Sequence, residues 1–210
     1  MTLASQTATD VRSTVISTVT RTKDAARILA RASTDQKNAA LAAMAKRLQA
    51  QQAAILEANA QDVQGAQAQG LSSALIDRLR LNAQRLAEMV ASIEAVIALP
   101  DPVQEVLRQW VRPNGLDIRK VRVPLGVIGI IYESRPNVTS ECASLCVKSG
   151  NAVILRGGAE SFHSNQAIGA ALREALASAG LPEAAVSTIP TADRAGVDAM
   201  LQLDQLIDVI

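Results

Sequence analysis

Two short polar segments have the residue types that could bind an anion or stabilise a developing negative charge. The first reads Glu-Ser-Arg-Pro-Asn over residues 133–137 and follows an apolar run. The amide of Asn137 could donate a hydrogen bond to an oxyanion, with the guanidinium of Arg135 beside it. Asn is also a preferred helix N-cap residue, and the local sequence by itself favours that structural interpretation of Asn137.

The second segment reads Arg-Gly-Gly-Ala-Glu-Ser over residues 156–161 and has the composition of a phosphate or ribose site. Two glycines let a ligand approach the backbone closely, a following helix N-terminus favours an anion, and Arg156 supplies a fixed positive charge. Two glycines also serve any tight turn, and the sequence has no G-x-G-x-x-G pattern. The pattern therefore gives phosphate binding and an empty turn equal weight.

Nucleophilic and metal-binding residue types are scarce in the sequence. Cys142 and Cys146 are the only cysteines, and His163 is the only histidine. The cysteines lie four residues apart within a predicted helix, where packing is the favoured interpretation and catalysis the alternative. One histidine and two cysteines do not provide the number or spacing of a metal site, so no bound metal is expected. His163 follows a Gly-rich turn and is expected at the surface.

The composition disfavours several classes of protein. Among the 210 residues, 21 Lys and Arg balance 20 Asp and Glu, which gives a net charge of +1. This balance and an aromatic content of 1% disfavour nucleic-acid binding, because neither a basic surface nor stacking platforms are present. No apolar run has the length of a membrane span, and the first residues lack a secretory signal. A cytoplasmic protein without membrane association is therefore expected.

The elements that must position these residues begin with helices. Apolar residues recur at spacings of three and four over residues 11–99, which predicts an α-helical layer. Residues 33–36 match a capping box and predict the start of one of these helices. Pro100 and Pro102 follow the last apolar stripe and predict its end.

Residues 105–123 predict a different element, a two-stranded hairpin. Apolar and polar residues alternate over residues 116–123, and the preceding Asn114-Gly115 step is a strong hairpin turn signal. An isolated hairpin is marginally stable in water. We therefore expect it to pack against something else, such as another subunit.

From residue 126 the pattern predicts alternating strands and helices. The apolar run over residues 126–132 is typical of a strand buried on both faces of a parallel sheet. Further strands are predicted over residues 152–155, 186–189 and 206–210. A first helix is predicted over residues 138–149, a second from the loop at residues 156–158 to about residue 179, and a third around residues 195–201. This order predicts an α/β fold in which N-terminal helices precede an open parallel sheet. The last apolar segment has no covering helix after it, so the sheet is expected to be incomplete.

Two long segments, residues 122–139 and 143–158, carry a resemblance to a known family. They read Arg-Val-Pro-Leu-Gly-Val-Ile-Gly-Ile-Ile-Tyr-Glu-Ser-Arg-Pro-Asn-Val-Thr and Ala-Ser-Leu-Cys-Val-Lys-Ser-Gly-Asn-Ala-Val-Ile-Leu-Arg-Gly-Gly. Both resemble the gamma-glutamyl phosphate reductases of the aldehyde dehydrogenase superfamily, and the shorter phrases over residues 57–60, 77–81 and 114–117 are similar too. The resemblance runs from about residue 24 to the last residue. It implies an aldehyde dehydrogenase-like fold with a Rossmann-type cofactor domain.

The resemblance implies NADPH-dependent reduction of L-glutamyl 5-phosphate to glutamate 5-semialdehyde with release of phosphate, a step of proline biosynthesis. In such enzymes a cysteine thiolate expels phosphate from the acyl phosphate, and a hydride from NADPH reduces the thioester. Asn137 matches the oxyanion-stabilising residue. The residues implied near NADP are Glu133, Ser134, Arg135 and Pro136 at the nicotinamide end, and Arg156, Gly157, Gly158, Ala159 and Glu160 at the adenosine ribose. Ala159 replaces the lysine or serine of some family members, which implies a looser hold on the 2′-phosphate.

The resemblance also implies how the chain is divided. Residues 1–104 are expected to form the helical layer of the cofactor-binding domain, residues 105–123 an oligomerisation arm, and residues 124–210 an incomplete α/β part of the NADP-binding domain. The catalytic domain with the nucleophilic cysteine is expected outside this sequence, so the chain alone is expected to be inactive. A homo-oligomer through the hairpin is implied, and glutamate 5-kinase is a further candidate partner. A non-catalytic nucleotide-binding or association module is the alternative.

Overall fold

The computed structural model describes residues 8–210, which begin with a helical half. Its five helices are α1 (Ala8–Leu29), α2 (Thr34–Ala50), α3 (Gln52–Ala68), α4 (Ser73–Leu79) and α5 (Ala83–Ala98). The predicted helical layer is thus confirmed. The capping box is confirmed as well, because Ser33 Oγ accepts the N–H of Gln36 while Gln36 Oε1 accepts the N–H of Ser33.

The predicted hairpin is present, but it does not pack into the core. Strands β1 (Val106–Val111) and β2 (Asp117–Val121) pair in antiparallel fashion. Gly115 has a φ of 84° in the turn, a conformation that glycine adopts without steric cost. Every residue of β1 is exposed, and Ile118 is the only half-buried residue of β2. The alternation in the sequence therefore marks a free-standing arm rather than a strand with one buried face.

The second half of the chain contains the predicted open parallel sheet. Its strands are β3 (Val127–Ile131), β4 (Ala152–Arg156) and β5 (Val186–Thr188), paired in parallel in the order β3-β4-β5. The connecting and following helices are α6 (Asn137–Lys148), α7 (Phe162–Ser178) and α8 (Ala195–Leu201). A short 3-10 helix, Ala159–Ser161, precedes α7, and another, Glu183–Ala185, precedes β5.

The strand predicted over residues 206–210 is wrong in extent. Leu206 and Ile207 donate their N–H groups to the carbonyl of Leu203, so a turn occupies the start of this segment. Only Val209 forms a bridge, in parallel with Ile128 of β3. The segment therefore adds a single bridge to the edge of the sheet.

Strand β3 is also less buried than the apolar run predicts. Val127 and Gly129 are buried, Ile128 and Ile130 are half-buried, and Ile131 is 39% exposed. One neighbour of β3 is a full strand, β4, whereas the other is the single bridge at Val209. The expectation of burial on both faces is therefore correct for only part of the strand.

One hydrophobic cluster joins the helical half to the sheet. Helix α1 packs against α8 and along the sheet, whereas α2 packs on α5, α6 and α7. Fully buried members of the cluster come from both halves, and the larger ones include Leu29, Leu41, Leu48, Ile93, Ile154 and Leu155. Within residues 8–210, no helix combines the length and the apolar character that a bilayer-crossing segment needs.

Candidate functional site

The two polar segments meet at the carboxyl edge of the sheet. Ile131, at the end of β3, is paired with Arg156, at the end of β4, and the Tyr132 N–H donates to the Arg156 carbonyl at 3.1 Å. The cleft of about 550 Å³ above this edge is lined by Leu71, Leu75, Ile131, Tyr132, Glu133, Ser134, Arg156, Gly158, Ala159 and Glu160. Ligands of open α/β sheets bind at this edge, so we call this space the edge cleft.

A hydrogen bond crosses the edge cleft between the two turns. Ser134 Oγ, from the turn after β3, donates to Glu160 Oε1, from the turn after β4. Ser134 is buried and Glu160 is half-buried. The family resemblance implies that both residues lie beside a cofactor, and their direct contact is visible only in the fold.

A second connection between the turns passes through buried hydroxyls and an amide. The hydroxyls of Tyr132 and Thr139 lie 2.6 Å apart, and Thr139 Oγ1 donates to Asn165 Oδ1 at 3.1 Å. Asn165 Nδ2 then donates to Ser161 Oγ at 2.9 Å, and Ser161 Oγ donates to the Gly158 carbonyl at 3.1 Å. Burial raises the pKa of Tyr132 to about 12, so its hydroxyl stays protonated at neutral pH. This network connects Tyr132 and Gly158, which both line the edge cleft, through buried side chains.

The paired glycines keep the second turn bare of side chains. A Cβ atom on Gly157 would lie 2.0 Å from Asn165 Nδ2, and one on Gly158 would lie 2.2 Å from Glu160 Oε1. Neither glycine has a positive φ. A side chain at position 157 would displace the buried Asn165 amide, whereas the Glu160 carboxylate beside Gly158 is the end of a flexible side chain that can move.

Arg156 is less free than the sequence suggests. Its guanidinium donates to the carbonyls of Gly157 at 2.7 Å and of Ala192 at 2.9 Å, so it ties the turn after β4 to the turn after β5. Its Nε atom is buried and has no hydrogen-bond partner among residues 8–210. A buried donor without a partner is costly.

Asn137 does not cap helix α6. Pro136 occupies the N-cap position and Asn137 is the first helical residue, so the N-cap interpretation from the sequence is wrong. Asn137 Nδ2 instead donates to Glu141 Oε1 at 2.9 Å, as residues four apart on a helix face can do. The half-buried amide thus lies at the amino end of α6, where it remains a candidate donor to an oxyanion.

A second cleft, of about 300 Å³, surrounds the Asn137 amide, and we call it the arginine cleft. Four arginines line it, namely Arg78, Arg80, Arg85 and Arg135. Sequence reasoning singled out only Arg135 among them. The other three lie in or near the Asp-Arg-Leu-Arg-Leu phrase at the end of α4, and their charge density was the signal that could have revealed them.

The two cysteines occupy packing positions on α6. Cys146 is 5% exposed, and burial raises the pKa of its thiol to about 12. Cys142 is half-buried, and burial likewise raises the pKa of its thiol. A raised pKa lowers the thiolate fraction at neutral pH, which disfavours nucleophilic attack by either sulfur.

His163 is exposed, with 55% of its side chain accessible, and it contacts a buried acid. The ring Nδ1 of His163 lies 2.8 Å from Asp62 Oδ1, and the backbone N–H of His163 donates to the same oxygen at 3.1 Å. Asp62 comes from α3 and was not identified from the sequence. The described residues contain no group of three or more His, Cys, Asp or Glu side chains that could hold a metal ion.

Comparison with known proteins assigns the family. The model of the aldehyde dehydrogenase family matches residues 2–210. The chain belongs to the aldehyde dehydrogenase family. The resemblance found in the sequence and the predicted fold class are thereby confirmed. Membership of this family implies a nicotinamide cofactor.

Curated relatives refine the similarity. The chain is 54% identical over 190 residues to the gamma-glutamyl phosphate reductase of Moorella thermoacetica, covering 90% of this chain and 46% of that protein. It is 51% identical to the gamma-glutamyl phosphate reductase of Paramagnetospirillum magneticum, covering 97% of this chain and 48% of the relative. The chain therefore spans about half the length of these relatives, at their N-terminal end.

Solved structures agree with this similarity. Gamma-glutamyl phosphate reductase from Thermotoga maritima superposes with a TM-score of 0.91 at 45% identity, covering 93% of this chain and 47% of that one. The Saccharomyces cerevisiae enzyme of the same name superposes with a TM-score of 0.84 at 31% identity, covering 92% and 49%.

Proposed function

We propose that this chain supplies the cofactor-binding part of an NADPH-dependent gamma-glutamyl phosphate reductase. The enzyme would reduce L-glutamyl 5-phosphate to L-glutamate 5-semialdehyde and release phosphate, as a cytoplasmic step of proline biosynthesis. The observation that carries the proposal is the meeting of the Ser134 and Glu160 turns at the carboxyl edge of the sheet, next to the Asn137 amide. The names and high identity of the relatives support it.

The edge cleft is the proposed dinucleotide site. In the proposal, residues 133–136 lie beside the nicotinamide and residues 156–160 beside the adenosine ribose. Gly158 lines the cleft without a side chain, and the guanidinium of Arg156 adds a positive charge to the lining. Arg156 favours the 2′-phosphate of NADP over NAD by its charge, whereas uncharged Ala159 adds nothing to that preference. The reduced nicotinamide supplies a hydride when it is bound.

Asn137 has the chemical role in the proposal. Its Nδ2 donates to the acyl carbonyl oxygen, which stabilises the negative charge that develops when a thiolate attacks the acyl carbon. The carbon–oxygen bond to phosphate then breaks, phosphate leaves with the electron pair, and a thioester remains. The high pKa of Cys146 and the burial of Cys142 favour a thiolate from a cysteine outside this sequence. The 210-residue chain alone is then expected to lack turnover.

The remaining parts of the proposal concern organisation. Residues 1–104 and 124–210 would form the cofactor domain, and the exposed hairpin within residues 105–123 would join copies of the protein. The exposed apolar side chains of β1, including Val106, Leu107 and Val111, support association through this arm. Glutamate 5-kinase would be a partner through its product, the acyl phosphate.

The test begins with NADPH binding to the chain, measured by the fluorescence of the reduced nicotinamide. Arg156→Gln is expected to weaken binding about tenfold, which is about 1.4 kcal/mol. The matched control is Arg112→Gln at the exposed hairpin tip, which should leave binding unchanged. Equal binding by the chain and by Arg156→Gln would contradict the placement of NADP in the edge cleft.

The second part of the test uses the full natural gene product. Its intact mass and its phosphate-dependent reduction of NADP with glutamate 5-semialdehyde are measured together. A mass well above that of this chain, with activity, supports the reductase. A natural product of 210 residues that binds NADPH without turnover would instead support the non-catalytic association module.

A further inference from the structure

The arginine cleft gathers more positive charge than its own acids neutralise. The Arg85 guanidinium lies 3.1 Å from the Asp77 carboxylate and also donates to the backbone carbonyls of Asp77 and Arg80. Two further acids line the cleft: Glu88 accepts a hydrogen bond from Gln84, and Glu141 accepts one from Asn137. Four arginines thus face three carboxylates. Within residues 8–210, the guanidinium groups of Arg78, Arg80 and Arg135 make no hydrogen bond or ion pair. Three positively charged guanidinium groups are thus available to bind a ligand.

A third cleft lies between the arginine cleft and the edge cleft. Arg78 and Arg135 line this third cleft together with Tyr132, Glu133 and Ser134. The last three residues also line the edge cleft. Three adjoining clefts, which together we call the groove, therefore extend from the turn at Gly157 and Gly158 (the glycine turn), past the end of β3, to the Asn137 amide.

We propose that the arginine cleft binds the phosphate group of an acyl phosphate substrate and holds it as it leaves. This inference rests on the proposed function. If the Asn137 amide donates to the acyl carbonyl, the phosphate on the same carbon must lie within a few Å of that amide. Planar guanidinium groups recognise phosphate through paired hydrogen bonds, and the amino end of α6 adds a favourable dipole. Positive charge at the leaving group also stabilises the electron pair that phosphate takes with it.

Within the cleft the arginines have two roles. Arg78, Arg80 and Arg135 are the binding residues, because their guanidinium groups are unpaired. Arg85 is a positioning residue, since its bonds to Asp77 and to the Arg80 carbonyl fix the backbone that carries Arg78 and Arg80.

Two other anionic groups are alternatives for the arginine cleft, a cofactor phosphate and the carboxylate of the substrate's amino acid end. The charges of the residues in the groove favour neither of them. A cofactor phosphate would be expected beside Arg156 and the glycines, at the other end of the groove. The amino acid end of the substrate has one carboxylate and one ammonium group, and the ammonium would face unpaired guanidinium groups. A doubly charged phosphate matches three unpaired arginines better than a zwitterion does.

The test measures inorganic phosphate binding to the 210-residue chain by phosphorus NMR titration at constant ionic strength. Saturable binding in the millimolar range is expected. Arg78→Gln and Arg135→Gln should each weaken it about tenfold, whereas Arg112→Gln at the hairpin tip should not change it. Circular dichroism and thermal unfolding establish that each variant is folded. No saturable binding, or equal weakening by Arg112→Gln, overturns the proposal.

Competition then separates the sources of the anion. Addition of NADPH should leave phosphate affinity within about twofold, and displacement of phosphate by NADPH would assign the arginines to the cofactor instead. Displacement by L-glutamate would assign them to the amino acid end of the substrate. NADPH binding is measured on the same variants. If Arg135→Gln loses phosphate binding and keeps normal NADPH binding, the arginine cleft is supported as the phosphate site. If the unsubstituted chain does not bind NADPH, the proposed function is contradicted, but the phosphate result still stands.

Discussion

Asp62 of α3 accepts two hydrogen bonds from Ser164 at the amino end of α7. Asp62 Oδ2 lies 2.7 Å from the Ser164 N and 2.6 Å from its Oγ, and the Asp62 side chain is only 2% exposed. Asn59, one turn earlier on α3, donates to Ser164 Oγ at 3.0 Å and to the Leu79 carbonyl at 2.8 Å, and it accepts the Leu81 N–H at 2.7 Å. A single buried network thus connects the helix after the glycine turn with the backbone beside the arginine cleft.

Replacement of Asp62 is therefore expected to destabilise the fold. Asp62→Ala removes the acceptor for the first N–H groups of α7 and leaves buried donors unpaired, so the free energy of unfolding should fall by about 2–3 kcal/mol. Urea denaturation measures this change. The control is Asp24→Ala, since Asp24 is exposed and pairs with the equally exposed Arg27, and it should cost less than about 0.5 kcal/mol. A similar small effect for both variants would contradict the capping role.

The glycine turn gives a prediction with a matched glycine control. Gly157→Ala should displace Asn165 from the Thr139 and Ser161 hydroxyls, lower the free energy of unfolding by about 1–3 kcal/mol and weaken NADPH binding. Gly65→Ala, in α3 with nothing within 4 Å of the added Cβ, should raise stability by about 0.5–1 kcal/mol. Unfolding and NADPH titrations are run on both. If Gly157→Ala and Gly65→Ala have equal free energies of unfolding, the turn at Gly157 tolerates a side chain.

The buried Lys37–Asp101 pair predicts a pH dependence. Burial raises the pKa of Asp101, but hydrogen bonds from Lys37 and Thr34 outweigh it and hold the pKa below its usual value. A depressed carboxyl pKa stabilises the fold above the ordinary aspartate pKa, about 4, and that contribution is lost as the pH falls below it. Because Lys37 is 1% exposed, Asp101→Asn leaves a buried charge without its partner and should cost about 3 kcal/mol at pH 7.

Unfolding measured from pH 7 to pH 3 checks this dependence. The difference in the free energy of unfolding between the unsubstituted chain and Asp101→Asn should shrink below about pH 4, because the Asp101 carboxyl of the folded chain also becomes protonated there. The double variant Lys37→Met, Asp101→Asn should recover most of the loss at pH 7, because the Lys37 charge is removed together with its partner. The nearby buried Lys148 keeps its hydrogen bonds to Asn38 and to the Ile97 carbonyl. A constant difference at every pH would rule out the ion pair as its source.

The cysteines are expected to react slowly in the folded chain. With the pKa of Cys146 raised to about 12 and that of Cys142 also raised by burial, little thiolate is present at pH 8. Thiol titration with a disulfide reagent should give slow reaction in the native chain and two fast equivalents after unfolding in urea. Cys142→Ala should leave NADPH binding unchanged. Rapid reaction of one thiol in the folded chain would instead support that cysteine as a nucleophile.

The local features of this protein were determined by its sequence. Helix periodicity, the capping box at Ser33 and the hairpin signal at Asn114-Gly115 depend on residues within a few positions of one another, and the structure contains each of them. The strand-to-helix turns containing Ser134 and Glu160 were also predictable, because parallel strands bring their carboxyl ends to one edge. The long motifs beside them identified the family.

Only the tertiary structure decided which side chains meet. Asp62 and Ser164 are separated by 102 positions, and the arginines near the end of α4 reach Asn137 only because α5 packs on α6. Asn137 itself bonds to Glu141 rather than capping its helix, since Pro136 takes the N-cap position. Periodicity and capping follow from the backbone geometry of neighbouring residues, whereas a cleft is formed by the packing of elements distant in the chain, and no local pattern encodes which polar groups that packing brings together.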